Sequence, residues 1–241
     1  MQETSALFDQ ILNSGYYETE VRVVVNGETF AQDKLMDVSI SRGLFNGDNL
    51  AIGSACIGSC SITLFSGDMT GKELSDTIPR GASINIFSRI IDASGLKSEW
   101  LSQGIFFVDQ RDYTSWTGRL VLNGIDAMAL ADGDFTTNDM SWPKTDIATV
   151  RLIANQMGVV LAADVPTIIN QSYSITNPIT TYTLREVLGF IAAMYCGNWI
   201  INKDGELQLL TVDGLPTETN YLVTNTGSPI TFGGVRILVQ G

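Results

Sequence analysis

Apolar and polar residues alternate along much of the first half of the chain, which is the spacing of half-buried β-strands. The run YETEVRVVV, Tyr17 to Val25, alternates in this way and ends at Asn26-Gly27, a dipeptide typical of tight hairpin turns. Glycine-containing turns separate this run from the ones that follow, and about six such strands predict a β-sandwich or a β-barrel. The further strands are predicted at Asp37–Ser41, Cys56–Phe65, Ala82–Ile91, Gly104–Asp109 and Arg119–Leu122.

The first fifteen residues carry a different pattern, that of a short amphipathic helix ended by Gly15. Its apolar side is formed by Leu7, Phe8, Ile11 and Leu12. The segment lacks the basic start and long apolar core of a signal peptide, and no apolar run approaches the ~20 residues that span a bilayer. We therefore expect synthesis in a cytoplasm and no membrane integration.

Helical spacing returns after residue 131. A polar loop leads to Pro143, and the helix Thr145–Met157 follows, ended by Gly158. The next apolar run, VVLAADV, is interpreted as a strand. These changes of period predict an α+β unit that begins near residue 132.

A second helix and a hairpin close that unit. Thr183 and Glu186 form a capping box, in which each side chain accepts a hydrogen bond from the other residue's backbone amide. The helix is predicted to run to about Cys196, with Gly197 as its left-handed stop. Two strands then follow around the turn Asn202-Lys203-Asp204-Gly205, namely Trp199–Ile201 and Glu206–Leu210.

The domain organisation follows from this order. The fold class is α+β, mainly β, with a β domain over residues 1–131 and an inserted α+β domain over 132–212. Residues 213–241 return to β texture and are predicted to complete the β domain. Within them, Ile230–Phe232 and Val235–Val239 are apolar apart from Thr231 and Arg236. This segment is therefore expected to be paired or covered by protein, since exposed apolar edge strands promote aggregation.

Charge excludes two classes of partner. The chain has 14 Lys and Arg against 26 Asp and Glu, a net charge of −12. Binding to nucleic acid or to an anionic membrane surface depends on basic side chains, so both are disfavoured. Charged residues make up only 17% of the chain. Two explanations stay open: a surface covered by other subunits, or a β domain with a Ser/Thr/Asn/Gly surface.

The cysteines are predicted to be buried thiols. Cys56 and Cys60 lie four positions apart on a predicted strand, about 13 Å, beyond the ~7 Å limit for the Cα atoms of a disulfide. They could pair only if Gly58 folded the strand back. A zinc site would need more ligands than these two and Cys196, because the chain has no histidine.

The absence of histidine also removes most arrangements for nucleophilic catalysis. The Ser-x-x-Lys pattern occurs at Ser94–Lys97 and Ser141–Lys144, but Gly95 and Pro143 mark both as turns. Neither is expected to aim its lysine at its serine. No phosphate-binding glycine loop occurs.

Carboxylates and tryptophans are the remaining candidates for chemistry. Asp109 and Asp112 are interpreted as a strand end and turn, with Arg111 balancing the charge. Asp132, Asp134 and Asp139 are interpreted as turn residues, with a calcium site as the alternative. Trp199 is predicted in the core and Trp116 at an exposed hairpin tip, while sugar stacking remains the alternative for the tryptophans, which also include Trp100 and Trp142. No catalytic, cofactor-binding or metal-binding residue is predicted, and the chain is not expected to be an enzyme.

Four segments resemble a known family, the hub proteins of phage tail tips and baseplates, which are related to the spike hubs of contractile injection systems. The segments are IPRGASINIFSRI (Ile78–Ile90), SEWLSQGIFFVDQRDY (Ser98–Tyr113), TGRLVLNGIDAMALAD (Thr117–Asp132) and GNWIINKDGELQL (Gly197–Leu209). The resemblance implies a β-barrel related to the tail-tube subunit, with an inserted α+β domain.

The same resemblance implies a structural role in the virion. It implies a homotrimeric ring at the tail tip that continues the tail tube, with the tail tube, distal tail and tape-measure proteins as partners. DNA would pass through this ring without specific binding, which the acidic balance favours. The alternative is a carbohydrate-binding or cell-wall-hydrolase module, which would bind wall polysaccharide as a monomer.

Overall fold

The computed structural model describes residues 4–31, 33–43, 52–65, 69–113, 118–136, 142–176, 181–211, 231–232 and 235–236. The chain divides into two compact units, Met1–Leu210 and Thr211–Gly241. In the second unit, Thr231–Phe232 pairs with Val235–Arg236 as an antiparallel hairpin. The rest of the predicted return segment 213–241 lies outside the described residues, so its place in the β domain stays a prediction.

A seven-stranded antiparallel sheet forms most of the first unit. Its strands lie in the order β2-β1-β5-β6-β7-β4-β3, and each is hydrogen-bonded to its neighbours in that order. The predicted strands are all present, several of them longer than predicted. The bounds are β1 Tyr17–Val25, β2 Glu28–Phe30, β3 Leu35–Arg42, β4 Gly58–Phe65, β5 Ser83–Asp92, β6 Leu101–Tyr113 and β7 Arg119–Ile125.

The sheet is strongly curled. A flat sheet of seven strands would separate its edges by roughly 29 Å, yet the residues between β2 and β3 can span at most ~18 Å. The curl also lets Arg42 of β3 donate from Nη2 to the carbonyl of Gln103 on β6, at 2.6 Å. Register shifts between Ile86 and Phe87 and between Val108 and Gln110 mark irregularities in the pairing of β6.

The mainly-β part of the predicted fold class is confirmed by this one curled sheet, while the predicted barrel or sandwich stays a prediction. Among the described residues no hydrogen bond joins β2 to β3, so these residues alone do not form a closed barrel. The reason is the length of β2, whose three residues pair only with Val23–Val25 at one end of β1. On that side, Tyr17–Arg22 has no partner strand among the described residues.

The first hydrophobic core lies inside the curl. Val23, Ile62, Ile84, Phe106 and Leu122 are completely buried there. A short helix α2, Gly71–Thr77, packs beside β6 and β7 and adds Leu74 to this core. The predicted amino-terminal helix is present as α1, Ala6–Leu12. It begins after a Ser5 cap and packs near β5.

A second hydrophobic core is built mainly from helices and surrounds Trp199, which is completely buried. Its elements are the 3₁₀ helix Ala127–Asp132, β8 Lys144–Thr145, α3 Asp146–Met157, α4 Val165–Ile168, β9 Ser174–Ile175, α5 Leu184–Met194, β10 Gly197–Ile201 and β11 Leu207–Thr211. The predicted helices and hairpin are confirmed. The run VVLAADV is not a full strand, because it makes a short bridge to β11 and then enters α4.

The hairpin of β10 and β11 is flanked on both sides by chain from elsewhere. The backbone amide of Trp199 donates to the carbonyl of Ser54, and that of Cys56 donates to the carbonyl of Trp199, both at 2.8 Å. On the other side the amide of Leu207 donates to the carbonyl of Val160 at 2.8 Å. Residues 53–56 therefore belong to the second core, although the sequence assigns Cys56 to a strand of the β domain.

The helix ends are partly as predicted. The capping box of Thr183 and Glu186 is present, and Gly158 ends α3 in the left-handed conformation with φ of 69°. The predicted left-handed stop at Gly197 is wrong, since Cys196 takes that conformation with φ of 50°. Gly197 is instead the first residue of β10, where a Cβ atom would lie 2.5 Å from the carbonyl oxygen of Leu210.

Candidate functional site

The one Ser-x-x-Lys pattern that the structure describes completely does not form a catalytic pair. Ser94 Oγ donates to Asp92 Oδ1 at 2.7 Å, whereas Lys97 Nζ lies 3.4 Å from Glu20 Oε2. The two side chains therefore serve different carboxylates. The turn expected at Gly95 is present, with φ of 85°. In the other pattern, Ser141 lies outside the described residues.

Asp109 and Asp112 are exposed on β6, but the predicted strand end and turn is wrong, because the strand includes both residues and continues to Tyr113. The prediction that Arg111 balances their charge is wrong. Its Nη1 donates to the carbonyls of Ser75 and Ile78, at 2.8 and 2.6 Å. Successive residues of a strand point to opposite faces, so Arg111 caps the end of α2 while its neighbour Asp112 faces away.

Asp132, the last residue of the 3₁₀ helix, and Asp134 are exposed and are held beside α5. Arg185 Nε donates to Asp132 Oδ1 at 2.5 Å, and the backbone of Asp134 bridges to Thr183. Asp139 lies outside the described residues. Over the described ranges, no group of three or more acidic or cysteine side chains is placed to hold a metal ion.

The tryptophans have separate roles. Trp199 lies in the second core, as predicted, and its Nε1 donates to the carbonyl of Leu188 at 2.9 Å. Trp100 is half-buried beneath two arginines, with the guanidinium carbons of Arg22 and Arg89 at 4.4 and 4.2 Å from its ring centroid. Trp142 is half-buried as well, and Trp116 lies outside the described residues.

Two of the three cysteines are buried, as predicted, and within the described part of the chain no disulfide joins any of the three. Burial raises the pKa of Cys60 to about 12, so this thiol is unreactive at neutral pH. The prediction is wrong for Cys196, which is exposed. This residue sits in the left-handed turn between α5 and β10, outside the apolar face of the helix.

A buried carboxylate, Asp126, joins the two cores. It lies between β7 and the 3₁₀ helix and accepts hydrogen bonds from the amides of Gly58, at 2.7 Å, and Met128, at 3.0 Å. Burial raises its pKa to about 6, although these amides and the charges of Arg42 and Arg185 act in the opposite direction. The sequence offered only the weak signal of an aspartate before a helix.

Arg185 of α5 is the second link at this junction. Besides Asp132, it donates from Nη1 to the carbonyl of Ala55 and from Nη2 to that of Met128, the latter at 2.9 Å. One guanidinium therefore holds α5, the 3₁₀ helix and the crossing segment 52–57 together. Both junction residues are used within the fold, so neither has the exposed, convergent geometry of a reaction centre.

A polar groove of about 280 Å³ runs across β3, β4, β7 and β6. One row of residues aligned across these four strands lines it: Ser39 lies opposite Ser61, Ser61 opposite Asn123, and Asn123 opposite Gln110. Asp109 adds a carboxylate to the lining. The groove therefore offers hydroxyl, amide and carboxylate groups, with no lysine or arginine among its lining residues.

An apolar groove of about 360 Å³ lies on the second core, where residues 52–55 cross α5. The crossing is close, because a Cβ atom on Gly189 would lie 2.7 Å from the carbonyl oxygen of Gly53. Ile52 and Phe190 line the groove and are 44% and 53% exposed. Phe190 packs edge-to-face on Tyr182, with ring centroids 5.2 Å apart.

The residues described above form surfaces of the subunit and junctions within it. Comparison with known proteins shows which folds the chain resembles. No protein-family model and no curated protein sequence matches the chain. Solved structures do match it. A 43 kDa tail protein of prophage MuSo2 from Shewanella oneidensis shares 17% identity with a TM-score of 0.52, over 79% of this chain and 53% of the tail protein.

A tail protein from Neisseria meningitidis MC58 is similar at 15% identity with a TM-score of 0.50, over 88% of this chain and 57% of that protein. The chain thus spans a little over half the length of each tail protein. The resemblance to phage tail proteins that the sequence indicated is confirmed at the level of the fold. Among the described residues, no helix is both long and apolar enough to cross a membrane.

Proposed function

We propose that this chain is a structural subunit of a phage tail tip or baseplate hub. Three copies form a ring that continues the tail tube, with the curled β domain making the ring and the second core on its outer side. DNA passes through the ring without specific binding. The subunit is assembled in the host bacterial cytoplasm and remains in the virion, in contact with tail tube, distal tail and tape-measure proteins.

The observation that carries this proposal is the shared fold. The matched regions of the two tail proteins include most of this chain, so the likeness extends over both the curled sheet and the second core. An unrelated sandwich would be expected to match only the sheet. The shared fold supports the proposal that the chain is a tail protein. The ring and the DNA conduit are the part of the proposal that concerns how the subunits assemble.

The surface chemistry supports a conduit that does not retain DNA. The chain has a net charge of −12, and the polar groove on β3, β4, β7 and β6 contains hydroxyl, amide and carboxylate groups. Phosphates bind where lysine and arginine replace counterions. A lumen lined by such a surface would repel the phosphate backbone and let the duplex slide.

The carbohydrate-binding alternative has less support from the tryptophans. Sugar rings stack on exposed aromatic faces, but Trp199 is completely buried and Trp100 already has two arginines over its ring. A pull-down with purified wall polysaccharide tests this alternative directly. We expect no retention, whereas saturable binding by a monomer would favour the alternative.

A cryo-electron microscopy structure of the phage tail tip tests the proposal itself. We expect three copies of this chain around the tail axis, with the second core outside. A tip with a single copy, or with α3 and α5 lining the channel, would falsify the proposed arrangement. A tail tip that does not contain this chain would contradict the proposed function as a whole.

A further inference from the structure

A cationic patch stands out on the outer face of β1 and β5 in a chain that is otherwise acidic. We define the Arg22 patch as Arg22, Phe87, Arg89, Lys97 and Trp100. Arg22 lies opposite Phe87 in the strand pairing. Its guanidinium carbon is 4.9 Å from the centroid of the Phe87 ring and 4.4 Å from that of Trp100. Stacking on two rings fixes the plane of the guanidinium group.

The two arginines of the patch differ in their partners. Arg89 Nε donates to Glu20 Oε2 at 2.7 Å, and Lys97 Nζ lies 3.4 Å from the same oxygen. The hydrogen bond from Arg89 lowers the pKa of Glu20, so this carboxylate is ionised and shared by two cations. Arg22 makes no hydrogen bond or ion pair within the described part of the chain, and its Nε is buried and unpaired.

Arg89 and Lys97 therefore share the carboxylate of Glu20, and Arg22 is the cation of the patch that has no anion among the described residues. A guanidinium group that is half-buried and lacks an anion is costly, because its donors have lost water without gaining an acceptor. Its planar fork matches a carboxylate, which can accept two parallel hydrogen bonds from the terminal nitrogens. A carboxylate is the group that would complete the patch.

The same sheet supplies suitable carboxylates elsewhere. Asp37 on β3 and Asp112 on β6 belong to one row across the sheet, in which Asp37 lies opposite Thr63, Thr63 opposite Val121 and Val121 opposite Asp112. Both are exposed, and neither has an ion-pair partner among the described residues. We call Asp37 and Asp112 the acidic row.

We propose that the Arg22 patch binds the acidic row of a second copy of this chain, with Arg22 pairing with a carboxylate of that row. The patch lies on β1 and β5, and the acidic row lies on β3 and β6. Two different complementary surfaces on one molecule give a head-to-tail contact, which closes into a ring when the rotation between copies allows it. This inference rests on the proposed function, because the ring provides the head-to-tail arrangement of the copies. The complementary charges of the Arg22 patch and the acidic row are the reason for choosing a second copy as the partner.

Sedimentation equilibrium of the 241-residue chain over a concentration series at low ionic strength tests this contact. We expect self-association that weakens as salt is added, since the contact is between charged surfaces. Asp112→Asn, an exposed change that leaves the fold intact, should raise the dissociation constant at least about tenfold. Arg119→Gln is the matched control: it removes an exposed cation of β7 outside the patch and should leave the constant unchanged.

A charge exchange identifies the pair itself. Arg22→Glu should abolish association, and combining it with Asp112→Arg should restore it, with circular dichroism used to confirm that each variant is folded. A wild-type chain that stays monomeric at the highest concentration, or association insensitive to both single changes, overturns the contact. Tail tips with three copies but an uncovered patch overturn this inference alone. Association that depends on the pair, in a chain absent from tail tips, overturns the proposed function alone.

Discussion

The curled sheet and the second core are held together in contrasting ways. In the sheet, neighbouring strands are joined by antiparallel backbone hydrogen bonds, and buried residues alternate along strands such as β5 and β7. The second core collects pieces that are far apart in the chain, and segment 52–57 reaches it from between β3 and β4. Many equivalent backbone hydrogen bonds stabilise the sheet, whereas a few individual residues hold the segments of the second core together.

The arginines show the same contrast at the level of single residues. Arg185 has three acceptors inside the fold and connects α5 to two other segments. The guanidinium group of Arg22 lies over two aromatic rings and has no hydrogen-bond acceptor among the described residues. An arginine whose three nitrogens all donate within the fold stabilises the subunit, while one that is held rigid without an anion is prepared for a contact with another molecule.

The largest expected effect is the loss of stability when one large buried side chain is removed from either core. Trp199→Ala should cost about 3–5 kcal/mol of unfolding free energy, because it removes a completely buried ring and its hydrogen bond to Leu188. Phe106→Ala is the matched change in the sheet core. In hydrogen exchange, Trp199→Ala should reduce the protection of the amides of β10 and β11 and leave those of β5 protected. Phe106→Ala should reduce the protection of the β5 amides and leave those of β10 and β11 protected. Equal loss of protection in both regions would show that the two cores unfold as one.

The next effect concerns the pH dependence of the junction. The pKa of Asp126 is raised by burial to about 6, against an ordinary value of 3.8. Between these values the folded state binds more protons than the unfolded state, so stability falls as pH rises through this window and is level above it. At 1.4 kcal/mol per pH unit, the whole window corresponds to about 3 kcal/mol.

Chemical denaturation of the wild type and Asp126→Asn at pH values from 4 to 7 measures this contribution. The neutral amide cannot titrate, so the difference between the two proteins should change across the window. The wild type should gain relative stability at the acidic end. A difference independent of pH would show that the amides of Gly58 and Met128 keep the carboxylate ionised.

Sequence reasoning succeeded where the signal is local. Alternation predicted the strands of the sheet, apolar spacing with a glycine stop predicted α1 and α3, and a capping box predicted α5. The same logic could have found α2, since Thr70 and Glu73 form a capping box like that of Thr183 and Glu186. The open edge between β2 and β3 was not predictable, because it depends on how the whole sheet curls.

The candidate surfaces were less accessible to the sequence than the fold. The Arg22 patch joins residues from β1, β5 and the segment before β6, and the acidic row joins β3 to β6. Both depend on strand register, which the alternating pattern alone leaves undetermined between strands distant in the chain. Asp126 and Arg185 are likewise 59 positions apart but act at one junction. Nothing in the residues around either one indicates the other.

The smallest effect concerns the turn from α5 into β10, where the sequence placed the left-handed residue one position too late. Gly197→Ala should cost about 1–3 kcal/mol, because its Cβ would lie 2.5 Å from the carbonyl oxygen of Leu210. Gly133→Ala is the control: its nearest neighbour is an ordinary contact at 3.5 Å, and its φ is −70°. Thermal denaturation of both variants should show a clear loss only for the first.

A cost at Gly197 alone does not distinguish crowding from backbone strain, because a left-handed glycine would also resist alanine. Cys196→Gly makes the distinction. Cys196 has φ of 50° and is exposed, so glycine there relieves strain and removes no buried contact. Stability should stay level or rise by up to about 1 kcal/mol. If Gly197 were the left-handed residue instead, Cys196 would belong to the helix, and glycine would lower stability by roughly 0.5–1 kcal/mol. The sign of the change at Cys196 therefore decides which residue makes the turn.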